Sequence, residues 1–360
     1  MKFYLYFFIT LVSISCNSDH KNSKQEIKKI NPNEEKASKK LSPKAIWKLK
    51  TGNYISTNSF IYKNSTYFGG FDGYLYAVDI SNGKEKWKFK TESEINSSPI
   101  IDNNVVYFGN DDGFLFAVDI ISNKEKWKLK TKKEIRTNPI IIDEVIYFGN
   151  NEGIFYAVNK NNGEILWEFK ANGLIDSSPV YYNGMVYFGS LDNNLYALDI
   201  SNGKIKWKFK TNGWIHSSPI IKNDIIYFGS GDDYFYSVDA RTGKEKWKFK
   251  TGGNVNSSSI VNDELIYFGS DDHFFYAINT KTGKEKWKFK TGFNVFSYPN
   301  ISENIVYFGS WDKNLYALNK DTGKEKWRYN TGFYIFSRPE VIEDKVLFGS
   351  WDGNYYALEK

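Results

Sequence analysis

The sequence predicts an all-β fold, an eight-bladed β-propeller built from four-stranded antiparallel blades. The first reason is a repeat: eight tryptophans follow one another every 40 residues, with no residue gained or lost between them. A fixed period of about 40 residues is typical of propellers and solenoids. The second reason is that no segment after residue 45 shows helical periodicity. The repeated tryptophans are Trp47, Trp87, Trp127, Trp167, Trp207, Trp247, Trp287 and Trp327.

Each unit contains four short strands, as the unit around Trp207 shows. Residues 186–189 are a β-branched and aromatic run ended by Gly, and after a turn residues 195–199 are a second apolar run. An Asn-Gly pair at 202–203 suits a tight hairpin, and residues 206–210 alternate Lys with Trp or Phe. A Ser-Ser-Pro segment then leads into the next unit. We name the strands A to D, starting from the strand at the Ser-Ser-Pro segment.

The two edge strands of a blade carry different residue types. Proline lacks an amide donor and belongs on an edge strand, so strand A is predicted at the inner edge of the blade. Strand D is predicted at the outer edge, where its lysines discourage strand addition by other chains. The strand A prolines are Pro99, Pro139, Pro179, Pro219, Pro299 and Pro339.

The ring is predicted to close through the two ends of the chain. The first Trp strand, at residues 45–50, precedes any strand A, B or C, and the last unit ends at Lys360 without a Trp strand of its own. The Trp47 strand therefore completes the last blade, which gives eight blades of four strands. Closure removes the two open faces that an unclosed array would expose.

The N-terminus is predicted to be an export signal that ends in a lipid anchor. Residues 3–14 are apolar apart from Thr10 and Ser13, which is too short to span a membrane and suits a signal peptide. Residues 1–16 resemble a bacterial lipoprotein signal, in which the cysteine after a small residue is lipidated. Cys16, the sole cysteine, follows Ser15, although Ser13 departs from the usual leucine. The alternative is a free thiol beside an ordinary cleavage site.

The segment between the signal and the first strand is predicted to be a tether. Residues 17–44 are polar and lack aromatics, so they cannot bury enough surface to fold alone. The formal net charge of the chain is +6, and most of the excess lies in this segment. The propeller at 45–360 is nearly neutral, which argues against nucleic acid, because such binders carry a basic footprint on the folded body.

A carboxylate recurs in every B–C turn, which raises a metal hypothesis. We favour a structural interpretation, because Asp bonds to its own backbone in turns and Gly or Asn often follows it here. The chain has only three histidines and no metal-ligand spacing, so no metal site is predicted. The carboxylates are Asp72, Asp112, Glu152, Asp192, Asp232, Asp272, Asp312 and Asp352.

The string Ala197-x-Asp199-x-x-x-Gly203-x-x-x-Trp207 recurs with small changes through residues 45–360. It resembles the tryptophan-docking motif of pyrroloquinoline-quinone (PQQ) type propellers, which implies that Trp packs between adjacent blades. PQQ dehydrogenases of this type also hold calcium through carboxylate and amide ligands and use a catalytic Asp, and many have a cysteine pair at the cofactor. This chain has no second cysteine and its repeats are nearly uniform. We therefore expect no cofactor and no catalysis, with a PQQ-dependent dehydrogenase as an alternative.

A lipid anchor on a cofactor-free propeller resembles the outer-membrane protein assembly factor B (BamB) family. Those lipoproteins face the periplasm as scaffolds of the machinery that inserts β-barrel proteins into the outer membrane. The resemblance implies a monomeric, non-catalytic scaffold, held at the membrane by lipid, with a membrane-associated protein partner. A sugar- or polymer-binding propeller is a further alternative.

Aromatic residues are concentrated where the last units depart from the repeat. Apolar patches often mark interaction sites, and aromatics are enriched at interface cores. We therefore predict a partner-binding surface, the aromatic arc. The alternative is that these rings plug the channel or pack only on one another. The arc comprises Tyr54 of the first unit with Phe71, Phe293, Phe296, Trp311, Phe333, Tyr334, Phe336 and Trp351.

Three polar residues occupy equivalent places in consecutive units, namely Arg136, Asp176 and His216. They predict either a small polar pocket at the inner rim or a water-facing lining of the channel.

Overall fold

The computed structural model describes residues 42–360, which form 32 β-strands. Within that range there is no helix long and apolar enough to cross a membrane. Cys16, the predicted signal at 1–16 and all but the last three residues of the predicted tether lie outside the described residues.

The strands form eight separate sheets of four, which we number as blades 1 to 8. Blades 1 to 4 comprise β2 (Phe60–Tyr62), β3 (Ser65–Gly69), β4 (Tyr74–Asp79) and β5 (Glu85–Lys90); β6 (Ile100–Asp102), β7 (Val105–Gly109), β8 (Phe114–Asp119) and β9 (Lys124–Lys130); β10 (Ile140–Ile142), β11 (Val145–Gly149), β12 (Ile154–Asn159) and β13 (Ile165–Lys170); and β14 (Val180–Tyr182), β15 (Met185–Gly189), β16 (Asn194–Asp199) and β17 (Ile205–Lys210). Blades 5 to 7 comprise β18 (Ile220–Lys222), β19 (Ile225–Gly229), β20 (Tyr234–Asp239) and β21 (Glu245–Lys250); β22 (Ile260–Val261), β23 (Leu265–Gly269), β24 (Phe274–Asn279) and β25 (Glu285–Lys290); and β26 (Asn300–Ser302), β27 (Ile305–Gly309), β28 (Asn314–Asn319) and β29 (Glu325–Asn330). Blade 8 comprises β30 (Glu340–Ile342), β31 (Lys345–Gly349), β32 (Asn354–Glu359) and, from the start of the propeller, β1 (Ala45–Lys50).

Every blade is an antiparallel meander in the order A, B, C, D, so that strands A and D are its two edges. Strands A of neighbouring blades, such as β2 and β6, contact each other and surround the centre of the ring. Strands D alternate exposed residues with half-buried ones, as in β5 and β21. The predicted fold class is confirmed.

Closure of the ring by the Trp47 strand is also confirmed. Strand β1 pairs antiparallel with β32, with Trp47 opposite Ala357 and Lys50 opposite Asn354. Beyond the two ends of β1, Thr51 N–H donates to Gly353 O (2.8 Å) and Glu359 N–H donates to Lys44 O (3.0 Å). The last blade therefore pairs the first strand of the propeller with its last strand.

The repeated tryptophans lie between consecutive blades. Six of the eight indoles donate to the carbonyl of a residue 33 positions later, in the C–D turn of the next blade. The indole of Trp47, for example, donates to Ile80 O at 2.9 Å. The glycine of that turn lies against the indole ring, since a Cβ added to Gly83 would lie 2.5 Å from Trp47 Cδ2.

The core is divided into eight hydrophobic clusters, each shared by two consecutive blades. One of them joins blade 8 to blade 1, where Phe68 stacks on Tyr355 with ring centroids 4.0 Å apart. Burial of apolar surface is thus continuous around the closed ring, and no blade has an uncovered face.

The Ser-Ser-Pro segments join neighbouring blades near the centre. Backbone N–H groups donate to the side chain at the equivalent position of the next blade, as from Asn58 to Ser98 Oγ (2.9 Å) and from Ser98 to Asn138 Oδ1 (2.7 Å). The prolines predicted to fall in strand A lie one residue before it, and strand A is only two or three residues long. Strands β2 and β22 begin at the same place after Ser59 and Ser259, so proline is compatible with this start but does not determine it.

Candidate functional site

The D–A loops and B–C turns lie side by side on one face of the propeller, which we call the loop face. Backbone bonds join them within the site: Phe71 N–H donates to Tyr54 O (3.0 Å), and Trp351 N–H donates to Tyr334 O (2.9 Å). The A–B and C–D turns lie on the opposite face, which we call the turn face. This arrangement brings all members of the aromatic arc to the loop face.

The recurring B–C carboxylates fix these loops. Asp312 Oδ2 accepts hydrogen bonds from Gly292 N–H (2.7 Å) and from the Tyr316 hydroxyl (2.6 Å), so one carboxylate holds a D–A loop against strand C. The same pair of bonds occurs at Asp72, Asp192, Asp232, Asp272 and Asp352. In blades 2 and 3, Asn110 and Asn150 accept the turn N–H groups instead.

The blade 7 end of the arc is a stack centred on Trp311. Its indole lies nearly parallel to Phe296 (centroids 4.5 Å apart, 13° between planes) and to Tyr334 (5.1 Å, 10°). Phe293 lies 6.2 Å from the same indole and stacks on His273 at 5.3 Å. His273 was not among the predicted site residues.

The blade 8 end is a second stack centred on Trp351, and it crosses the closure of the ring. Its indole lies nearly parallel to Phe336 (4.9 Å, 14°) and to Tyr54 (5.2 Å, 9°). Phe333 is nearly parallel to Tyr54, and Phe71 lies 6.1 Å from Trp351. Phe336 also lies 5.2 Å from Trp311, so the two stacks form one continuous surface.

The arc is packed and partly exposed at once. Phe296 is buried, whereas Tyr54 and Phe293 expose 41% and 43% of their surface and the other rings are half-buried. The indole N–H of Trp351 is buried without an acceptor among residues 42–360. A core built only for folding would cover the outer rings and satisfy that donor. The rings therefore pack on one another and keep an exposed flank, and their role in binding a partner stays a prediction.

The polar side of the loop face is a chain of hydrogen bonds. Arg136 forms two bonds with Asp111, at 2.9 Å and 3.2 Å, and Asn96 donates to the same carboxylate at 3.0 Å. His216 Nε2 lies 4.0 Å from Asp176 Oδ2. Burial raises the pKa of Asp111 to about 7, the hydrogen bond from Asn96 opposes that shift, and the nearby carboxylates of Glu94, Glu134 and Asp176 add to it. Arg136 thus pairs with Asp111, a residue the sequence did not single out, rather than forming a pocket with Asp176 and His216 alone.

Asp271 lies beside the blade 7 end of the arc. Asn256 donates to its Oδ2 at 3.0 Å, and Asn294, whose carbonyl accepts from Trp311 N–H, also faces it. Burial raises the pKa of Asp271 to about 7, which the neighbouring amides partly oppose. No histidine, arginine or lysine forms an ion pair with this carboxylate among the described residues.

A small acidic notch adjoins the other end of the arc. It has a volume of about 170 Å³ and is lined by Phe71, Asp72, Gly73, Glu92, Ser93 and Glu94. Glu92 and Glu94 are exposed, and neither forms an ion pair within residues 42–360. Sequence reasoning did not select these two residues. The signal was present, because the loop at 92–94 is the only one of the eight D–A loops with two acidic residues.

The PQQ dehydrogenases that the docking motif resembles hold calcium through carboxylate and amide ligands. Across residues 42–360, no three His, Cys, Asp or Glu side chains converge in a way that could hold a metal ion. Six of the eight B–C carboxylates are engaged with backbone N–H groups and tyrosine hydroxyls, and the exceptions are Asp112 and Glu152.

Comparison with known families agrees with this architecture. Residues 37–224, just over half of the chain, match the family described as "Beta-alanine-activating enzyme, beta-propeller". The chain belongs to this β-propeller family. Residues 257–360 of the same propeller match the family described as "Outer membrane protein assembly factor BamB". The predicted resemblance to a PQQ-like, BamB-type propeller is thereby confirmed. No curated protein matches the chain significantly.

Solved structures share the fold of this family member. BamB from Moraxella catarrhalis has 17% identity and a TM-score of 0.76 over 88% of this chain and 100% of that one. The computationally designed Ika8 protein has 18% identity and a TM-score of 0.78 over 86% and 98%. A europium-containing methanol dehydrogenase has 15% identity and a TM-score of 0.76 over 86% of each chain. At these identities the likeness concerns the fold alone.

Proposed function

We propose that this chain is a non-catalytic scaffold that binds a partner protein through the aromatic arc. We place it at the bacterial outer membrane, facing the periplasm, held by a lipidated Cys16 and acting in the assembly of outer-membrane β-barrel proteins. The observation that carries the proposal is the arc itself, a continuous set of stacked rings that stays partly exposed. The match of residues 257–360 to the BamB family supports this choice of pathway.

The test is cross-linking in cells, followed by identification of the captured partner. Tyr54→Ala with Phe293→Ala removes the two exposed rings of the arc at little cost to the core, since each exposes over 40% of its surface. We expect capture of a barrel-assembly component to fall about tenfold, which corresponds to roughly 1.4 kcal/mol of binding free energy. Trp214→Ala is the matched control, because Trp214 is an exposed aromatic of the loop face outside the arc.

Two results would contradict the proposal. One is unchanged capture by the Tyr54→Ala and Phe293→Ala double variant. The other is stoichiometric uptake of PQQ in the presence of calcium, measured by absorbance, which would favour the dehydrogenase alternative instead. The fold shared with a methanol dehydrogenase makes the second measurement necessary.

A further inference from the structure

The aromatic arc and the acidic notch beside it identify the chemistry of the partner segment. We infer that the arc binds an extended peptide segment with aromatic or branched apolar side chains, ended by an arginine or lysine that enters the notch at Glu92 and Glu94. This inference rests on the proposed function, because it specifies what occupies the arc.

The arc has the dimensions of an extended segment. From Phe293 through Trp311, Phe336 and Trp351 to Phe71, consecutive ring centroids are 4.9 to 6.2 Å apart. The path is on the order of 20 Å, which is the length of about six extended residues. The side chains of an extended peptide along such a path are spaced so that they can contact successive rings of the arc.

A polypeptide fits the arc better than a glycan does. Sugar rings stack on an open aromatic face, but each indole of the arc already has two near-parallel ring neighbours. Trp311 lies against Phe296 and Tyr334, and Trp351 lies against Phe336 and Tyr54. The faces of both indoles are therefore covered, and a partner contacts the ring edges and the exposed rings at the flanks of the arc. Apolar side chains can fill the gaps between these rings.

Charge complementarity indicates that the bound peptide segment ends in a basic residue. The notch adjoins Phe71, the last ring of the arc, and carries two exposed carboxylates without a cation among the described residues. Asp72 is engaged by Gly52 N–H and the Tyr76 hydroxyl, and Lys90 Nζ donates to Asp72 O at 2.7 Å. Asp111, whose N–H donates to Glu94 O, is paired with Arg136. Glu92 and Glu94 are thus the carboxylates of the notch left to bind a cation, beside the half-buried ring of Phe71.

The experiment uses fluorescence anisotropy to measure the affinity of labelled peptides for the full chain. The probes are eight-residue peptides of alternating aromatic and β-branched residues that end in Arg, Gln or Glu at both termini. We expect the Arg-ended probe to bind about tenfold more tightly than the Gln-ended probe, with the preference lost at high salt. Glu92→Gln with Glu94→Gln should abolish that preference, whereas the matched control Glu134→Gln, in the equivalent loop of blade 3, should keep it.

The possible results separate this inference from the proposed function. If Tyr54→Ala with Phe293→Ala weakens every probe but the terminal charge has no effect, the basic end is wrong and the docking function stands. If the arc variants bind all probes as the wild type does, the docking function itself fails. Binding of a neutral oligosaccharide at the arc in place of the peptides would also overturn the inference. Equal thermal midpoints of the variants show that folding is intact.

Discussion

At the scale of single residues, the glycine of the C–D turn shows how the repeat motif determines packing. Gly203 has φ +69°, in the left-handed region, and its α-carbon lies so close to Trp167 that an added Cβ would be 2.5 Å from Cε3. In blade 2 the same place is taken by Asn123 at φ 54°. Asn tolerates this conformation better than most residues. Trp87, which faces this turn, is one of the two repeated tryptophans in the described structure whose indole N–H does not donate to the C–D turn of the next blade.

Gly203→Ala is expected to destabilise the propeller more than Gly184→Ala. Gly184 has φ +74° but nothing within 4 Å of an added Cβ, so alanine there incurs only the left-handed strain of about 1 kcal/mol. Alanine at 203 adds the displacement of Trp167, for a total of about 3 kcal/mol. The measurement is the urea midpoint of each variant. Equal midpoints would show that the indole moves aside freely and does not dock as the motif implies.

Residue identity alone did not determine which members of the arc are exposed. The sequence located its rings in the loops of blades 7, 8 and 1, and the structure places them there. Their exposure depends on ring tilt and on neighbours from other blades, such as Tyr54 against Trp351 across about 300 residues of chain. For the same reason the pairing of Arg136 with Asp111 could not be deduced, because it joins a D–A loop to the turn of the preceding blade.

At the scale of elements, strand D of blade 3 departs from its equivalents. Five D strands carry Glu-Lys in the two places before the repeated Trp, whereas β13 has Ile165-Leu166 there, which expose 42% and 49% of their surface. Strand β13 also carries Glu168 where the other D strands have Lys or Arg. The first half of its outer edge therefore lacks the charges that discourage edge pairing, while Glu168 and Lys170 remain exposed in the second half. The four-strand order was predictable, because each strand and turn type recurs eight times at a fixed period. Strands β1 and β17 depart in part, with exposed Ile46 and Ile205, but β13 alone has two large apolar residues at these places, which is visible only when the units are compared.

Replacing Ile165→Glu and Leu166→Lys is expected to reduce self-association without loss of stability. Both side chains are exposed, and the new pair already occurs in the same places of five other blades. Light scattering during prolonged incubation at high concentration would measure the effect. The reverse exchange, Glu245→Ile with Lys246→Leu in β21, should increase association. No change in either variant would mean that the outer edges are protected by something other than charge.

At the scale of the whole molecule, the junction between blades 8 and 1 differs from the other seven. The buried Tyr355 hydroxyl donates to Ser59 Oγ (2.6 Å) and bonds with Thr66 Oγ1 (3.0 Å). Other blades have Leu or Phe in place of Tyr355, Val or Ile in place of Thr66, and mostly Pro in place of Ser59. Three coordinated departures occur where non-sequential blades must meet. A buried polar network of this kind can specify one pairing among similar alternatives.

Tyr355→Phe is expected to lower the free energy of unfolding by about 1 to 3 kcal/mol, because it leaves two buried hydroxyls unpaired. Adding Ser59→Pro and Thr66→Val restores the residues of the other junctions and should recover most of that loss. Refolding from urea, followed by mass determination in solution, should then show more oligomers for the triple variant than for the wild type. Refolding of the triple variant entirely to monomer would show that the network contributes to stability and not to correct closure.

The position of β1 also determines the face of the propeller at which the described chain begins. Ala45 lies beside Leu358 at the turn face, and Lys50 lies beside Asn354 at the loop face, so the chain upstream of Ser42 joins the propeller at the pole opposite the arc. An attachment at the turn face, as proposed through Cys16, leaves the loop face unobstructed by the attachment itself. A binding partner can then reach the stacked rings without displacing the end at which the propeller is held.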